Sequence, residues 1–245
     1  MIAMENVIYL EEVDSTNDYL KRRCSELESG TSVTAKIQTA GKGRRGHSWT
    51  SCDEMLPMSI LFKNPIDIGT LTARVGLGVC EAIEKYPGLD TPAMLKWPND
   101  VIMENHKVCG ILCESLRDGA CTDVICGIGI NISQTAEYFR EAGLPNAASI
   151  MMISGTAPDK NELFDLVAEN VKQRVSMPFS RCIEDYRSRI VNIGKQVRLI
   201  ENNTEITAFA EDISSSGYLI CRDKNNTLFE VNSGEVSVRG LYGYT

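Results

Sequence analysis

The segment Gly41-Lys42-Gly43-Arg44-Arg45-Gly46 sets the first limit on the fold. It has the G-x-G-x-x-G spacing of a dinucleotide-binding turn, and in that fold the pattern opens a helix. Here His47-Ser48-Trp49 follows, and then another strand-like stretch, Leu56 to Phe62. The dinucleotide-binding reading is therefore rejected. The residue types in the loop still point to an anion. Glycine permits positive φ and close approach of backbone N–H groups. Three cations alternate with the glycines, and Arg can meet a phosphate or carboxylate with two parallel donors. The expectation is a loop that folds over an anionic small molecule.

The rest of the chain limits what kind of molecule carries this loop. With 245 residues and 43% hydrophobic content, one large domain or a main domain with a small second one is expected. A net charge of −8 counts against a free-standing nucleic-acid binder, while leaving room for a local basic pocket. No run of apolar residues is long enough to span a membrane, and the N-terminus lacks the pattern of a signal peptide. Nine scattered cysteines without a C-x-x-C pair, and only two histidines (His47 and His106), do not make a zinc site. Buried free thiols in a reducing cytoplasm are expected.

Periodicity predicts a mixed α+β main domain. Strands are expected at Val7–Leu10, Ser32–Thr39, Leu56–Phe62 and Asp123–Ile132, with a hairpin formed by the two apolar runs around Glu104-Asn105-His106. Pro98 should break the first of those runs. Helices are expected from Ser15 or Thr16 to about Leu27, over Thr70–Tyr86, over Asn161–Val175 and over Phe179–Ile190. The Thr70–Tyr86 pattern includes Arg74 among its apolar positions. Ala147 to Ile150 is expected to lead into a short turn. Beyond Gly194 the character changes to short strands at 196–200, 205–213, 218–222, 228–231 and 235–238, separated by Asn, Ser and Gly turns. The expected division is 1–192 and 193–245, the second a small barrel.

Several polar residues stand out against this frame. Ser15 and Thr16 can cap a helix, and with Asn17 they can also face a ligand at the strand-to-helix junction. Gln38 stands at the exit of its strand, beside the glycine loop. Asn99 and Asp100 follow Trp97-Pro98 inside apolar company, where a turn and a site are both open. Lys107 begins a strand of Val, Ile and Leu, either solvated at an edge or aimed inward as a fixed cation. Gly127 and Gly129 sit among isoleucines, where glycine often marks close approach of a ligand or backbone. Asn131 ends that run.

Taken in order, Asp14-Ser-Thr-Asn17, Gln38 to Trp49, Lys96-Trp-Pro-Asn-Asp100, Lys107-Val-Cys-Gly-Ile-Leu-Cys-Glu114 and Gly127-Ile-Gly-Ile-Asn131 resemble the biotin protein ligases. Gly234-Glu-Val-Ser-Val-Arg239 resembles the end of that family's C-terminal domain. The resemblance implies a catalytic domain related to class II aminoacyl-tRNA synthetases, with a mixed sheet, and a C-terminal SH3-like barrel. It implies coupling of biotin to ATP as biotinyl-5′-AMP, accompanied by Mg2+ and without a protein metal cage. Biotin then passes to a lysine on a biotin carboxyl carrier protein. Lys107, Arg44 and Asp100 are the implied catalytic residues. Biotin would be held by Ser15, Thr16, Asn17, Gln38, Lys42, Gly43, Arg44, Lys107 and Gly110. The nucleotide would meet Arg44, Arg45, Trp49, Asn99 and Asn131. Some family members carry an N-terminal DNA-binding domain, and with only thirteen residues before the Asp14 motif no DNA binding is expected. Members occur as monomers and dimers, so a homodimer stays open.

Two departures from the commoner loop pattern are present. Lys42 and His47 stand where Arg is more usual, which keeps one charge but loses bidentate geometry. The rival reading on the same fold is a lipoate or octanoate protein ligase or transferase. A rival of another class is a non-catalytic biotin-binding module whose basic loop is simply solvated.

Overall fold

A computed structural model describes residues 6–49, 52–119, 121–201, 204–232 and 237–240. Its main body is a seven-stranded sheet. The strands are β1 (Val7–Val13), β2 (Ser32–Gln38), β3 (Met55–Phe62), β4 (Met94–Lys96), β5 (Asp100–Met103), β6 (His106–Asp118) and β7 (Cys121–Asn131), in the spatial order β1-β2-β3-β7-β6-β5-β4. Only β1 and β2 run parallel; the remaining pairs are antiparallel, so the sheet is mixed.

The period-2 alternation of β7 explains how one sheet serves both a core and a site. Val124, Cys126, Ile128 and Ile130 belong to the main core cluster. That core lies under helices α2 (Leu71–Lys85) and α5 (Lys160–Val175). The intervening Gly127, Gly129 and Asn131 face the other way, because a side chain turns to alternate faces along a strand. On that second face α1 (Thr16–Arg22) packs its Leu20 into a small cluster with Val33, Leu61 and Ile125. Burying each such aliphatic side chain contributes about 1.5–3 kcal/mol.

Arg74 interrupts the apolar face of α2 and is fully buried. Its guanidinium donates to four carbonyls: Val175 and Met177 at 2.6 and 2.9 Å, Ile66 and Asp67 at 2.5 and 2.9 Å. It thereby ties the segment entering α2 to the segment leaving α5. Burial pushes the pKa of Arg74 down, with the Asp67 charge acting in the opposite sense.

Several local expectations change in detail. The first helix ends at Arg22, and a separate 3-10 turn covers Cys24–Glu26. The run around Trp97 is broken at a cis Trp97–Pro98 bond, and β4 folds back to pair with β5 (Lys96 opposite Asp100). β5 and β6 form the expected hairpin, with Glu104 and Asn105 both at positive φ, as a two-residue turn of this kind requires. The segment after β7 holds α3 (Ala136–Glu141) and α4 (Ile150–Ser154) rather than a simple turn. Each is capped by a hydroxyl, Thr135 for α3 and Ser149 for α4. The last expected helix divides into a 3-10 turn, Phe179–Arg181, and α6 (Ile183–Arg189).

The C-terminal part is a five-stranded antiparallel sheet of β8 (Lys195–Glu201), β9 (Thr204–Ile213), β10 (Leu219–Arg222), β11 (Leu228–Val231) and β12 (Ser237–Gly240), ordered β11-β10-β9-β8-β12. Residues 235 and 236 of the last expected strand lie outside the described residues. Its apolar side merges with the main core: Val197, Leu199, Ala208 and Ile213 belong to the same cluster as the residues under α2. Trp97, almost wholly buried, donates its indole N–H to Gly217 O at 3.1 Å, and Arg187 donates to Ile213 O at 2.8 Å. All nine cysteines are free, but only five are buried; Cys24, Cys52 and Cys113 are half-buried and Cys121 is exposed. No helix among the described residues is long and apolar enough to cross a membrane.

Candidate active site

A cleft of about 1220 Å3 opens on the glycine-bearing face of the large sheet. Every residue singled out from the sequence lines it: Ser15, Thr16, Asn17, Gln38, Lys42, Gly43, Arg44, Arg45, Trp49, Asn99, Asp100, Lys107, Gly110 and Asn131. They arrive from the start of α1, the end of β2, the glycine loop, the β4–β5 turn and strands β6 and β7.

The glycine loop closes on itself. Lys42 and Ser48 form an isolated antiparallel bridge, Gly43 N–H donates to His47 O at 2.7 Å, and Trp49 N–H donates to Gly41 O at 2.8 Å. Between them Arg44–Gly46 makes a 3-10 turn, in which Arg45 takes a left-handed conformation (φ 55°). The three cations diverge from there. Arg44 turns inward and donates to Asn99 Oδ1 at 2.9 Å. Burial lowers its pKa, and the Asp100 charge works against that shift; Arg stays charged all the same. Lys42 pairs with Asp18 of α1 at 2.6 Å, which raises the lysine's pKa. Burial opposes ionisation of Asp18, but hydrogen bonds from Lys42 and Lys21 prevail and lower its pKa. Arg45 reaches the C-terminal sheet and donates to Ile200 O at 3.4 Å.

Opposite the loop, Lys107 Nζ stands 2.6 Å from Asp100 Oδ1, and Lys96 Nζ stands 3.9 Å from Asp100 Oδ2. Lys107 thus faces inward with a carboxylate to fix it. Its ammonium also lies 5.4 Å from the Trp49 ring centroid, within cation–π range. The indole rests on the register-paired Gly110 and Gly129, where a Cβ would stand 2.8 and 2.5 Å from ring atoms. Gly127 makes the same kind of room for the Asn17 amide. These glycines do bring a partner close to the sheet, as expected, and the partner includes the protein's own Trp49.

The polar end of the cleft is a connected set. Thr16 N–H and Oγ1 lie 2.8 and 3.0 Å from Gln38 Oε1. Ser59 Oγ lies 2.7 Å from Thr16 Oγ1 and 2.6 Å from Asn17 Oδ1. Asn17 Nδ2 donates to Glu114 Oε2 at 2.8 Å, and Glu114 pairs with Lys21 at 2.6 Å. Ser15 caps α1 through Asp18 N–H at 3.4 Å, so the capping and cleft-lining readings of Ser15 hold together. Asn131 spends its amide on structure, donating to Lys107 O at 3.4 Å and Ala148 O at 3.1 Å.

Lys96 also lines the cleft, while Glu114 and Ser59 stand behind it against Asn17. Ser59 is a single hydroxyl in an otherwise apolar strand, which is a legible signal. The far wall, from Gln134, Tyr138, Phe139 and residues 142–147, comes from the α3 region, and Ile200 comes from the C-terminal sheet. Lys107 N–H donates to Asn146 O at 2.9 Å, so β6 holds that wall in place. Only Thr135, the cap of α3, could have flagged it.

Residues 9–131 match the Biotin/lipoate A/B protein ligase family, and residues 193–239 match the Biotin protein ligase C terminal domain. The chain belongs to the biotin protein ligase family. It is 31% identical to the biotin–[acetyl-CoA-carboxylase] ligase of Mycobacterium tuberculosis, over 92% of this chain and 86% of that one. It is 28% identical to the bifunctional ligase/repressor BirA of Escherichia coli, over 96% of this chain and 74% of the relative. The biotin protein ligase from Aquifex aeolicus in complex with biotin and ATP superimposes with a TM-score of 0.81 at 31% identity, covering 96% of this chain and 99% of that one. Family membership accords with a cleft that gathers Lys42, Arg44, Arg45, Lys96 and Lys107 in a chain of net charge −8. Among the described residues, no group of three or more His, Cys, Asp or Glu side chains is placed to hold a metal ion.

Proposed function

We propose that this chain is an ATP-dependent ligase that activates biotin as biotinyl-5′-AMP and transfers it to a lysine of a biotin carboxyl carrier protein. The observation that carries the reading is the convergence of Lys107, paired with Asp100, and Arg44, bonded to the neighbouring Asn99, within a basic cleft. The likeness to a ligase complexed with biotin and ATP supports it.

In the first step a biotin carboxylate oxygen attacks the α-phosphorus and pyrophosphate leaves. Two anions must meet, so fixed cations in a site that excludes water lower the barrier. Lys107, held by Asp100, is placed to bridge carboxylate and phosphate. Arg44, held by Asn99, meets the phosphate from the loop side. Mg2+ would accompany ATP and offset the charge of the leaving pyrophosphate. Ser15, Thr16, Asn17 and Gln38 bring donors and acceptors to the ureido ring, and Trp49 covers the ligand beside the glycine pair.

In the second step the carrier lysine attacks the acyl carbon of the mixed anhydride and AMP leaves. Asp100, which lines the cleft beside Lys107, would orient that amine or take its proton. The division proposed is 1–192 for the chemistry and 193–245 as a module behind the loop, a reading supported by the hydrogen bond from Arg45 to Ile200 O. Biotin-dependent exchange of pyrophosphate into ATP tests this reading. Exchange with biotin and not with lipoate or octanoate supports it; exchange with lipoate or octanoate instead replaces it with the rival ligase.

A further inference from the structure

Two of the nine free cysteines stand directly opposite each other on neighbouring strands and take no part in the ligase chemistry. Cys113 of β6 pairs in register with Cys126 of β7, and their Sγ atoms lie 3.4 Å apart. Both belong to the core face of the sheet: Cys126 is a member of the main core cluster, and Cys113 packs against it. Directly opposed residues of an antiparallel pair have Cα atoms about 4.5–5.5 Å apart, inside the span of about 4.4–6.8 Å that a disulfide bridges. The register already in place therefore suits a bridge.

The two sulfurs are not equivalent. Cys126 is fully buried, and burial holds its thiol well above the ordinary cysteine value. Cys113 is half-buried, and its pKa is lowered, first of all by the hydrogen bond it shares with Cys126. Burial opposes that shift, while the Thr72 hydroxyl and the Arg74 charge support it. The more accessible sulfur with the lower pKa is the one that attacks an oxidant, and a thiol beside it can resolve the product.

The geometry points to Cys113 and Cys126 as a redox site, at which a hydroperoxide converts the dithiol to a cross-strand disulfide. The Cys113 sulfur attacks one oxygen of hydrogen peroxide and the O–O bond breaks. Cys113 becomes a sulfenic acid, and the leaving hydroxide takes up the proton of Cys113 as water. The Cys126 sulfur, giving up its proton, then attacks the Cys113 sulfur; the S–S bond forms, the S–O bond breaks, and a second water leaves. Two thiols and one peroxide thus give one disulfide and two waters, with two electrons passing from sulfur to oxygen. A small dithiol reverses the step by exchange. The bond draws the sulfurs from 3.4 Å to about 2.05 Å. On the opposite face, the neighbours of both cysteines seat Asn17. Leu112 O and Glu114 accept from its Nδ2 at 3.3 and 2.8 Å, and Gly127 leaves no room for a Cβ against its Oδ1. A packed sheet passes the shift on to Asn17, so the disulfide form weakens the hold of the cleft on its ligand. That consequence rests on the ligase reading; the redox site itself does not.

The test is treatment of the whole protein with hydrogen peroxide, then blocking of the remaining thiols, unfolding, tryptic digestion and mass spectrometry without reduction. Peptides 108–117 and 118–140 should appear linked, fragmentation should place the bridge at Cys113 and Cys126, and dithiothreitol should separate them. In Cys126→Ala the oxidation should stop at Cys113 and be trapped there by a cyclic 1,3-diketone. Cys113→Ser, at the half-buried position, should give no bridge and serves if Cys126→Ala does not fold. In oxidised wild type the KM for biotin in pyrophosphate exchange should rise by about fivefold, the worth of one weakened hydrogen bond, and return with dithiothreitol. Peroxide should move that KM by less than about twofold in Cys113→Ser, which has no bridge to form. A treated protein without the link, or with a bridge at Cys109 or Cys121 instead, overturns the redox site. An unchanged KM in the linked protein, or an equal rise in Cys113→Ser, overturns the coupling to the cleft. A reduced wild type with no biotin dependence overturns the ligase reading, while the linked peptides still decide the redox site.

Discussion

The indole of Trp49 lies so close over Gly129 that a Cβ on that glycine would stand 2.5 Å from its Cε2. The loop that carries the cations is thereby seated on the sheet through one aromatic side chain. Gly110 opposite extends the seat, and Lys107 caps the ring.

Gly129→Ala should lift the indole off the sheet. The chain has two tryptophans, and Trp97 is buried elsewhere. In a Trp97→Phe background the emission of Trp49 should shift to the red in Gly129→Ala, and the KM for ATP should rise by about tenfold or more. Unchanged emission would show that the indole is not seated there in solution.

Lys107→Ala removes the cation proposed to meet both reacting anions and leaves Asp100 facing the cleft. Pyrophosphate exchange should fall by about 100- to 1,000-fold, the usual cost of losing one preorganised charge at a reacting centre. Near-normal exchange would remove Lys107 from the chemistry.

Asp100→Asn keeps the shape and a hydrogen bond to Lys107 but loses the charge. Adenylate formation should persist, while transfer to the carrier lysine slows by about 100-fold. Single-turnover measurements separate the two steps, and equal transfer rates would strip Asp100 of that role.

Arg44→Gly breaks the link to Asn99 that draws the loop inward. Biotinyl-adenylate should escape and label bystander lysines, because closure is what limits its loss. A variant that labels the carrier alone contradicts the containment role.

The loop is tied to α1 through Lys42 and Asp18, which gives it a pH dependence of known sign. The Asp18 pKa is lowered in the folded state, so the tether is fully present above the ordinary carboxylate value of about 3.9 and is lost as pH falls through the lower folded value. Trp49 emission should be flat from pH 5 to 8 and change only below about pH 4. Asp18→Asn should speed tryptic cleavage after Lys42, Arg44 and Arg45 at neutral pH.

The positions of the longer strands and the two long helices were legible because each alternates or repeats over enough residues to be unambiguous. Gly127-Ile-Gly-Ile-Asn131 shows this at its clearest: period 2 put the isoleucines in the core and the glycines in the cleft. The inward turn of Lys107 was visible only as an odd cation in an apolar strand, and its direction came from Asp100 across the β5–β6 pair. Ser59 went unread because burial of a hydroxyl in a strand says nothing of its partners until α1 is packed above it. The far wall from Gln134 to Ala147 was lost because α3 and α4 are too short to show a period. The ligand contacts that the family resemblance implies for Lys42 and Arg45 are compatible with their place in the cleft lining, but the ion pair of Lys42 with Asp18 and the bond of Arg45 to the C-terminal sheet have no local sequence signal.

The central claim is the transfer of biotin to a carrier lysine, and the direct measurement is labelling of a biotin carboxyl carrier domain read by avidin blot. With biotin, ATP and Mg2+ the carrier should be labelled at one lysine, and the label should vanish without ATP or with Lys107→Ala. A carrier left unlabelled by folded wild-type protein, or labelled equally by Lys107→Ala, would contradict the account.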